Sequence, residues 1–284
     1  MKKFYVLTCL LVAVTFVAEA QSFYAIRRDR SLIALVGLNS STYYGDLKDD
    51  TDILDVKPSL SLGLMTAVTN RISVRGEFSW ITLSGSDADS KDEGKITRNL
   101  SFASSNYELS VSGIVNLIPH YGGRFYQRAN YNVYGFLGVG GLYFNPKATL
   151  DGKKYALQPL QTEGFDYSRF TLVIPYGLGG KIKLTPFINL ALEIGWRKTF
   201  TDYIDDISTT FVDNASFTDP IARQLADRRP EIGLPVLNAG RKRGEPSNKD
   251  SYMLISLRVE YYLPYQFGSQ GRKIYNRKRR ASYR

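Results

Sequence analysis

Residues 188–200, INLALEIGWRKTF, divide in steps of two. Ile188, Leu190, Leu192, Ile194 and Trp196 fall on one side; Asn189, Ala191, Glu193, Gly195 and Arg197 fall on the other. Successive side chains of a β-strand point to opposite faces, so this stretch reads as a strand with one apolar and one polar, charged face. The same alternation recurs along the chain. It predicts eight strands, near 31–39, 58–68, 72–83, 99–117, 131–144, 169–184, 188–200 and 252–263. Each supplies the ~9–11 residues that a tilted strand needs to cross a bilayer.

The connections alternate in length. Strands two and three are joined by Thr69-Asn70-Arg71 and strands six and seven by Thr185-Pro186-Phe187, while strands four and five have a medium turn through Pro119, Tyr121 and Gly123. The other four connections are long and polar, the longest running over 201–250. Short turns at one end and long loops at the other are the mark of an outer-membrane barrel, short turns facing the periplasm. The fold expected is therefore all-β: an eight-stranded antiparallel transmembrane β-barrel with both termini on the short-turn side. Trp80, Tyr143 and Trp196 near the outer strand ends, and Tyr261 and Phe187 near the inner ends, suggest two aromatic girdles. The competing fold is a water-soluble β-sandwich or lipocalin-like barrel, whose interior would be apolar. Here the charges keep to one face.

Two features strain the pattern. Pro175 lies inside strand six and cannot donate a ladder hydrogen bond, so a bulge is expected there. Tyr134, Phe136, Val173 and Pro175 leave the inner side of strands five and six poorly polar. Either they pack on something inside or the register differs.

The first residues supply the compartment. Lys2 and Lys3 precede an apolar run over 4–17 and an Ala18-Glu19-Ala20 motif, the form of a secretory signal peptide cleaved after Ala20. Cys9, the one cysteine, falls inside it, which leaves the mature chain without thiol chemistry. The expected organisation is a signal peptide at 1–20, a periplasmic segment at 21–30, the barrel at 31–263 and a basic tail at 264–284, in a protein of the cell outer membrane.

Charge adds two candidate sites. Parity places Arg75, Lys181, Lys183, Arg197 and Arg258 in the lumen with Glu77, Glu108, Glu193 and Glu260. An eight-stranded interior is just wide enough for side chains, so these charges are expected to pair as a plug; an ion or proton path is the alternative. The tail carries Arg272, Lys273, Arg277, Lys278, Arg279, Arg280 and Arg284 and no acid. Removing those seven, and the net one of the leader, from the formal +10 leaves about +2 for the barrel. The tail reads as a solvated segment, or as a docking arm for an acidic partner or anionic lipid headgroups. Nucleic acid is an unattractive partner for a secreted chain.

Catalysis finds little support. His120, the single histidine, falls on a periplasmic turn, whereas a barrel hydrolase needs its base by the outer mouth. Asp202, Asp205 and Asp206 head the last long loop and offer oxygen ligands for a hard cation; a solvated or Arg-paired loop is the commoner outcome. No catalytic residue, metal site or cofactor is assigned.

The loop heads carry a family resemblance. Thr42-Tyr43-Tyr44-Gly45-Asp46-Leu47, Arg98-Asn99-Leu100-Ser101-Phe102, Tyr107-Glu108-Leu109, Phe144-Asn145-Pro146-Lys147-Ala148, Gln158-Pro159-Leu160 with Thr162-Glu163-Gly164, and 197–206, RKTFTDYIDD, occur in that order. Together they resemble the Bacteroidetes outer-membrane family that includes PorG, a component of the type IX secretion system. Gln161 departs from the glycine expected there, and the basic tail lies outside the pattern. The resemblance implies a non-enzymatic barrel in outer-membrane lipid whose relative associates with periplasmic ring proteins. A passive pore and a lipid-modifying or proteolytic barrel enzyme are the other functions to separate.

Overall fold

The computed structural model describes residues 30–48, 57–120 and 125–264. The signal peptide, the 21–29 segment and the seven tail cations lie outside them. Eight long strands form the wall: β1 (Leu32–Tyr44), β2 (Lys57–Ala67), β3 (Ile72–Ser86), β4 (Ser101–Asn116), β5 (Tyr131–Tyr143), β8 (Phe170–Lys183), β9 (Ile188–Thr199) and β10 (Ser251–Tyr262). Each pairs antiparallel with its sequence neighbour in the wall, and β1 pairs with β10, so the sheet closes on itself. β6 (Pro146–Leu150) and β7 (Lys153–Ala156) form a hairpin in the loop after β5, and β6 continues the sheet against the outer end of β4. All eight predicted wall strands are present, though β1 runs on to Tyr44.

The period of two persists in space. β4 alternates buried and exposed positions along almost its whole length, with Glu108, Ser110 and Ser112 inside and Leu109, Val111 and Val115 outside. Register aligns Trp80, Tyr107, Tyr143 and Phe170 into one outward aromatic row across four adjacent strands at the long-loop end. Tyr131 and Tyr261 stand on the outer wall at the other end. Phe187 does not join them: it is buried and stacks on Phe125, 5.6 Å between centroids, with the Arg30 guanidinium 4.5 Å from its ring. The turn that carries it folds inward over the mouth.

The two tight turns share one device. Thr69 Oγ1 accepts from the backbone N–H groups of Arg71 and Ile72, and Thr185 Oγ1 accepts from those of Phe187 and Ile188. A hydroxyl that bonds the backbone two and three residues on sets the reversal without glycine.

The bulge expected at Pro175 is absent. Pro175 pairs in register with Arg197 on β9, and on the β5 side the ladder skips from Leu137–Tyr176 to Gly140–Val173 without a change of register. The missing N–H is accommodated by leaving two positions of one ladder unpaired. Tyr134, Phe136 and Val173 do face inward and are buried. Room for them comes from glycines on the same side of the wall, Gly179 and Gly177 paired beside Tyr134 and Phe136 on β8 and Gly195 paired beside Gly177 on β9. A Cβ on Gly195 would lie 2.7 Å from the Phe136 ring, one on Gly177 2.9 Å from it, and one on Gly179 would run into Tyr134. Gly195→Val should therefore overpack the lumen at a cost of about 1–3 kcal/mol. The expected readout is a lower denaturant midpoint for the heat-modifiable gel shift of the folded barrel.

Candidate functional site

The lumen is crossed by a closed ring of charge. Arg75 donates to both oxygens of Glu193 (2.7 and 3.2 Å), and its Nε lies 3.1 Å from Glu77. Arg258 donates to Glu77 at 2.7 Å and pairs with Glu193 at 2.9 Å. Two cations and two anions thus alternate around a square, all at most 4% exposed. The Tyr134 hydroxyl donates to Glu193, and Phe136 lies 5.0 Å under the Arg75 guanidinium, so the apolar side of strands β5 and β8 packs on the ring itself. One layer toward the long loops, Arg197 lies 3.6 Å from Glu108, which also accepts from Tyr252 at 2.7 Å. One layer toward the turns, Glu260 accepts from Asn189. Lys181 and Lys183 stand nearer the turn mouth: Lys181 Nζ is 5.1 Å from the centre of the Tyr134 ring, and Lys183 Nζ donates to the carbonyls of Tyr126 and Arg128.

The connection between β4 and β5 closes that mouth. Arg128 donates to Asn189 and to the carbonyls of Phe125, Thr185, Pro186 and Ile188, while its guanidinium covers Tyr262 at 4.4 Å. Arg128 was outside the parity argument because it lies on a connection. The length of that connection, against three residues for each tight turn, was the available signal.

At the opposite end the long loops fold into a cap with its own apolar core, including Leu47, Leu83, Leu100, Phe102, Phe144, Ile204 and Leu225. The motifs from the separate loop heads meet here. Asp87 accepts from Arg98 Nε (2.8 Å) and Nη2 (2.7 Å) and from the Leu100 amide. Arg98 closes α1 (Glu93–Arg98), and Asn99 after it takes the left-handed conformation at φ 58°. The Arg98 guanidinium also donates to the carbonyls of Asp46 and Arg243. Glu163 accepts from the amides of Ser208 and Thr209 and from Arg243 at 2.8 Å. Arg243 and Asp250, which complete this network, lie beyond the recognised motifs, and only the closed loop brings them in.

The three loop acids take separate partners. Asp206 accepts from Thr162 and from Tyr167 (2.6 Å). Asp205 accepts from Tyr43 at 2.7 Å and from the Ile207 amide. Asp202 is buried with neither carboxylate oxygen hydrogen-bonded. Among the described residues no three acids, histidines or cysteines converge to hold a metal ion. The Tyr43 hydroxyl also lies 2.6 Å from Asp250, whose other oxygen accepts from the Ile204 amide. One hydroxyl proton cannot serve two ionised carboxylates, so this trio holds an additional proton. Gly45 leaves the space, since a Cβ there would strike both Tyr43 and Asp250. Burial, with the neighbouring carboxylate next in weight, pushes Asp205 well above the ordinary carboxylate range; burial does the same to Asp250. Burial raises Asp206 to about 6 and Asp202 to about 7. His120, the single histidine, lies after β4 at the turn end, the full height of the barrel from these acids.

These features define an eight-stranded antiparallel barrel of the outer-membrane type, with a charge-paired lumen and a folded cap. The chain belongs to the family described as "Domain of unknown function (DUF6089)", whose model matches residues 5–218. No curated protein matches it. Solved structures that it is similar to include Ail, the attachment invasion locus protein of Yersinia pestis (12% identity, 82% of this chain and 98% of that one, TM-score 0.40). Others are Neisserial surface protein A (8%, 82% and 97%, TM-score 0.40) and a major outer membrane protein from Thermus thermophilus (14%, 81% and 99%, TM-score 0.40).

Two outcomes test the site. Arg258→Met leaves Glu77 and Glu193 to share Arg75, and should destabilise the barrel by about 3–5 kcal/mol; adding Glu77→Gln should recover part of it, read from the same denaturant midpoint. The cap should respond to pH. Asp202 and Asp206 have folded values above the unfolded 3.8, so their contribution is complete below pH 4 and is lost as pH rises through about 6 to 7. Hydrogen exchange at Ile204 and Ile207 should be slower at pH 5 than at pH 8 after correction for intrinsic rates, and Asp202→Asn should reduce the difference.

Proposed function

We propose that this protein is an integral outer-membrane barrel that anchors or organises a periplasmic protein complex, in the manner of the PorG subunit of type IX secretion that its loop motifs resemble. The observation that carries the reading is the combination of an apolar outer wall with a lumen closed by paired charge. Leu62, Leu109, Leu137, Leu178 and Leu257, all on the outer face, are each about half exposed or more, which is costly in water and favourable in lipid. Aromatic side chains stand toward both ends of that wall, as interfacial anchors do. With the short turns in the periplasm, the cap faces outward.

A passive pore is disfavoured by the Arg75–Glu193–Arg258–Glu77 ring and by the Arg128 closure, which stand in series across the lumen. An enzyme is disfavoured because Asp205, Asp206, Asp250 and Glu163 in the cap are engaged with hydroxyls, amides and Arg243, and His120 lies at the far end of the barrel. The motifs that resemble PorG shape the cap, so contact with a periplasmic partner falls to the turn end and to the basic tail. Crosslinking in outer membranes followed by purification should recover periplasmic proteins, and truncation after Gly271 should weaken that recovery most at low salt, with the difference shrinking as salt rises, while the barrel still inserts. Steady large conductance from the purified monomer in planar bilayers would replace this reading with the pore.

A further inference from the structure

The turn-end mouth contains a cavity of about 310 Å³. Its lining includes Arg128, Lys181 and Lys183 and, among the described residues, no acid. The three cations differ in how far they are committed. The Arg128 guanidinium is taken up by Asn189 and backbone carbonyls, and Lys183 Nζ donates to two carbonyls. Lys181 Nζ, among the described residues, meets only the face of the Tyr134 ring. Deeper in the lumen Arg75, Arg197 and Arg258 sit against carboxylates, whereas Lys181 presents a half-buried ammonium to an open cavity.

We infer that this cavity binds a carboxylate side chain presented by an acidic peptide segment of a periplasmic partner. The inference rests on the membrane orientation proposed above and gives the chemistry of the partner. Net charge argues against the chain's own ends as the occupant. β1 and β10 begin and end at this mouth, where Ile33 and Tyr262 line the cavity. The sequence beyond Leu263 carries seven cations and no acid, and 21–29 carries Arg27 and Arg28 against Asp29. Position excludes the headgroups around the wall: Lys181 and Asn189 belong to the inward parity, while the outer wall beside them is Val133, Ile182 and Leu190. Size argues against a lone ion, since the cavity equals the share of about ten waters in the liquid. Asn70 and Asn116 at its rim add amide groups suited to a peptide backbone.

The test uses the full chain in phosphatidylcholine nanodiscs and a fluorescent hexaglutamate peptide, with hexalysine as control. Hexaglutamate should bind, more weakly as salt rises, and Lys181→Gln should weaken it about tenfold, the scale of one lost charge-assisted hydrogen bond. Asn70→Asp, on an exposed turn, should weaken it less and leaves the lumen intact should Lys181→Gln disturb folding. Equal binding by wild type and both variants overturns the inference. Inorganic phosphate that displaces the peptide at equal concentration reduces the cavity to an ion site and also overturns it, as does loss of peptide binding when phosphatidylglycerol is added to the nanodisc. Failure to enter nanodiscs, or loss of the heat-modifiable shift in the wild type, would instead count against the membrane reading.

Discussion

A barrel of eight strands has no room for a hydrated ion in its centre, and this one places charges of both signs there. The Arg75–Glu193–Arg258–Glu77 ring is how the conflict is resolved. Each carboxylate faces two guanidiniums and each guanidinium faces two carboxylates, so the cost of removing four charges from water is met inside the ring. The planar forks of arginine suit this arrangement, where a lysine would offer a point charge. The surrounding lumen follows from it: Phe136 lies against Arg75, Tyr134 satisfies Glu193, and the glycines at 177, 179 and 195 give those rings space. What looks like a weak polar side on β5 and β8 is the packing surface of the ring.

The same economy appears in the cap with different chemistry. Asp87 and Glu163 are held by Arg98 and Arg243 together with backbone amides, whereas Asp205 and Asp250 are held by a shared tyrosine and a retained proton. The second pair makes the cap proton-linked. The loop motifs that resemble PorG are therefore largely the parts of one small folded layer on the outer mouth. Their first task is structural.

Function is then divided between the ends. The outer wall is apolar, the lumen is filled with paired charge, and the cap is tied together by buried bonds. The turn end is where cation chemistry is left over: Lys181 in a cavity, Arg30 over Phe187, and basic sequence beyond both terminal strands. Such an arrangement suits a membrane anchor that engages something acidic beneath it better than it suits a conduit.

Strand number, wall faces and inward charges were legible in the sequence because they depend only on a period of two, which the chain displays without knowledge of its partners. Even Pro175 kept its parity, although the bulge expected there is replaced by a short gap in the β5 ladder while the β9 ladder runs on unbroken. Which cation meets which anion was not legible. Arg75 and Glu193 are 118 residues apart, and Tyr43 is 162 and 207 residues from the two aspartates it joins. Phe187 moved from the lipid girdle to the mouth because Phe125 and Arg30 arrive from other connections. Local alternation fixes the side a residue faces; closure of the barrel and folding of its loops fix what it meets there, and those meetings depend on register and on distance in space.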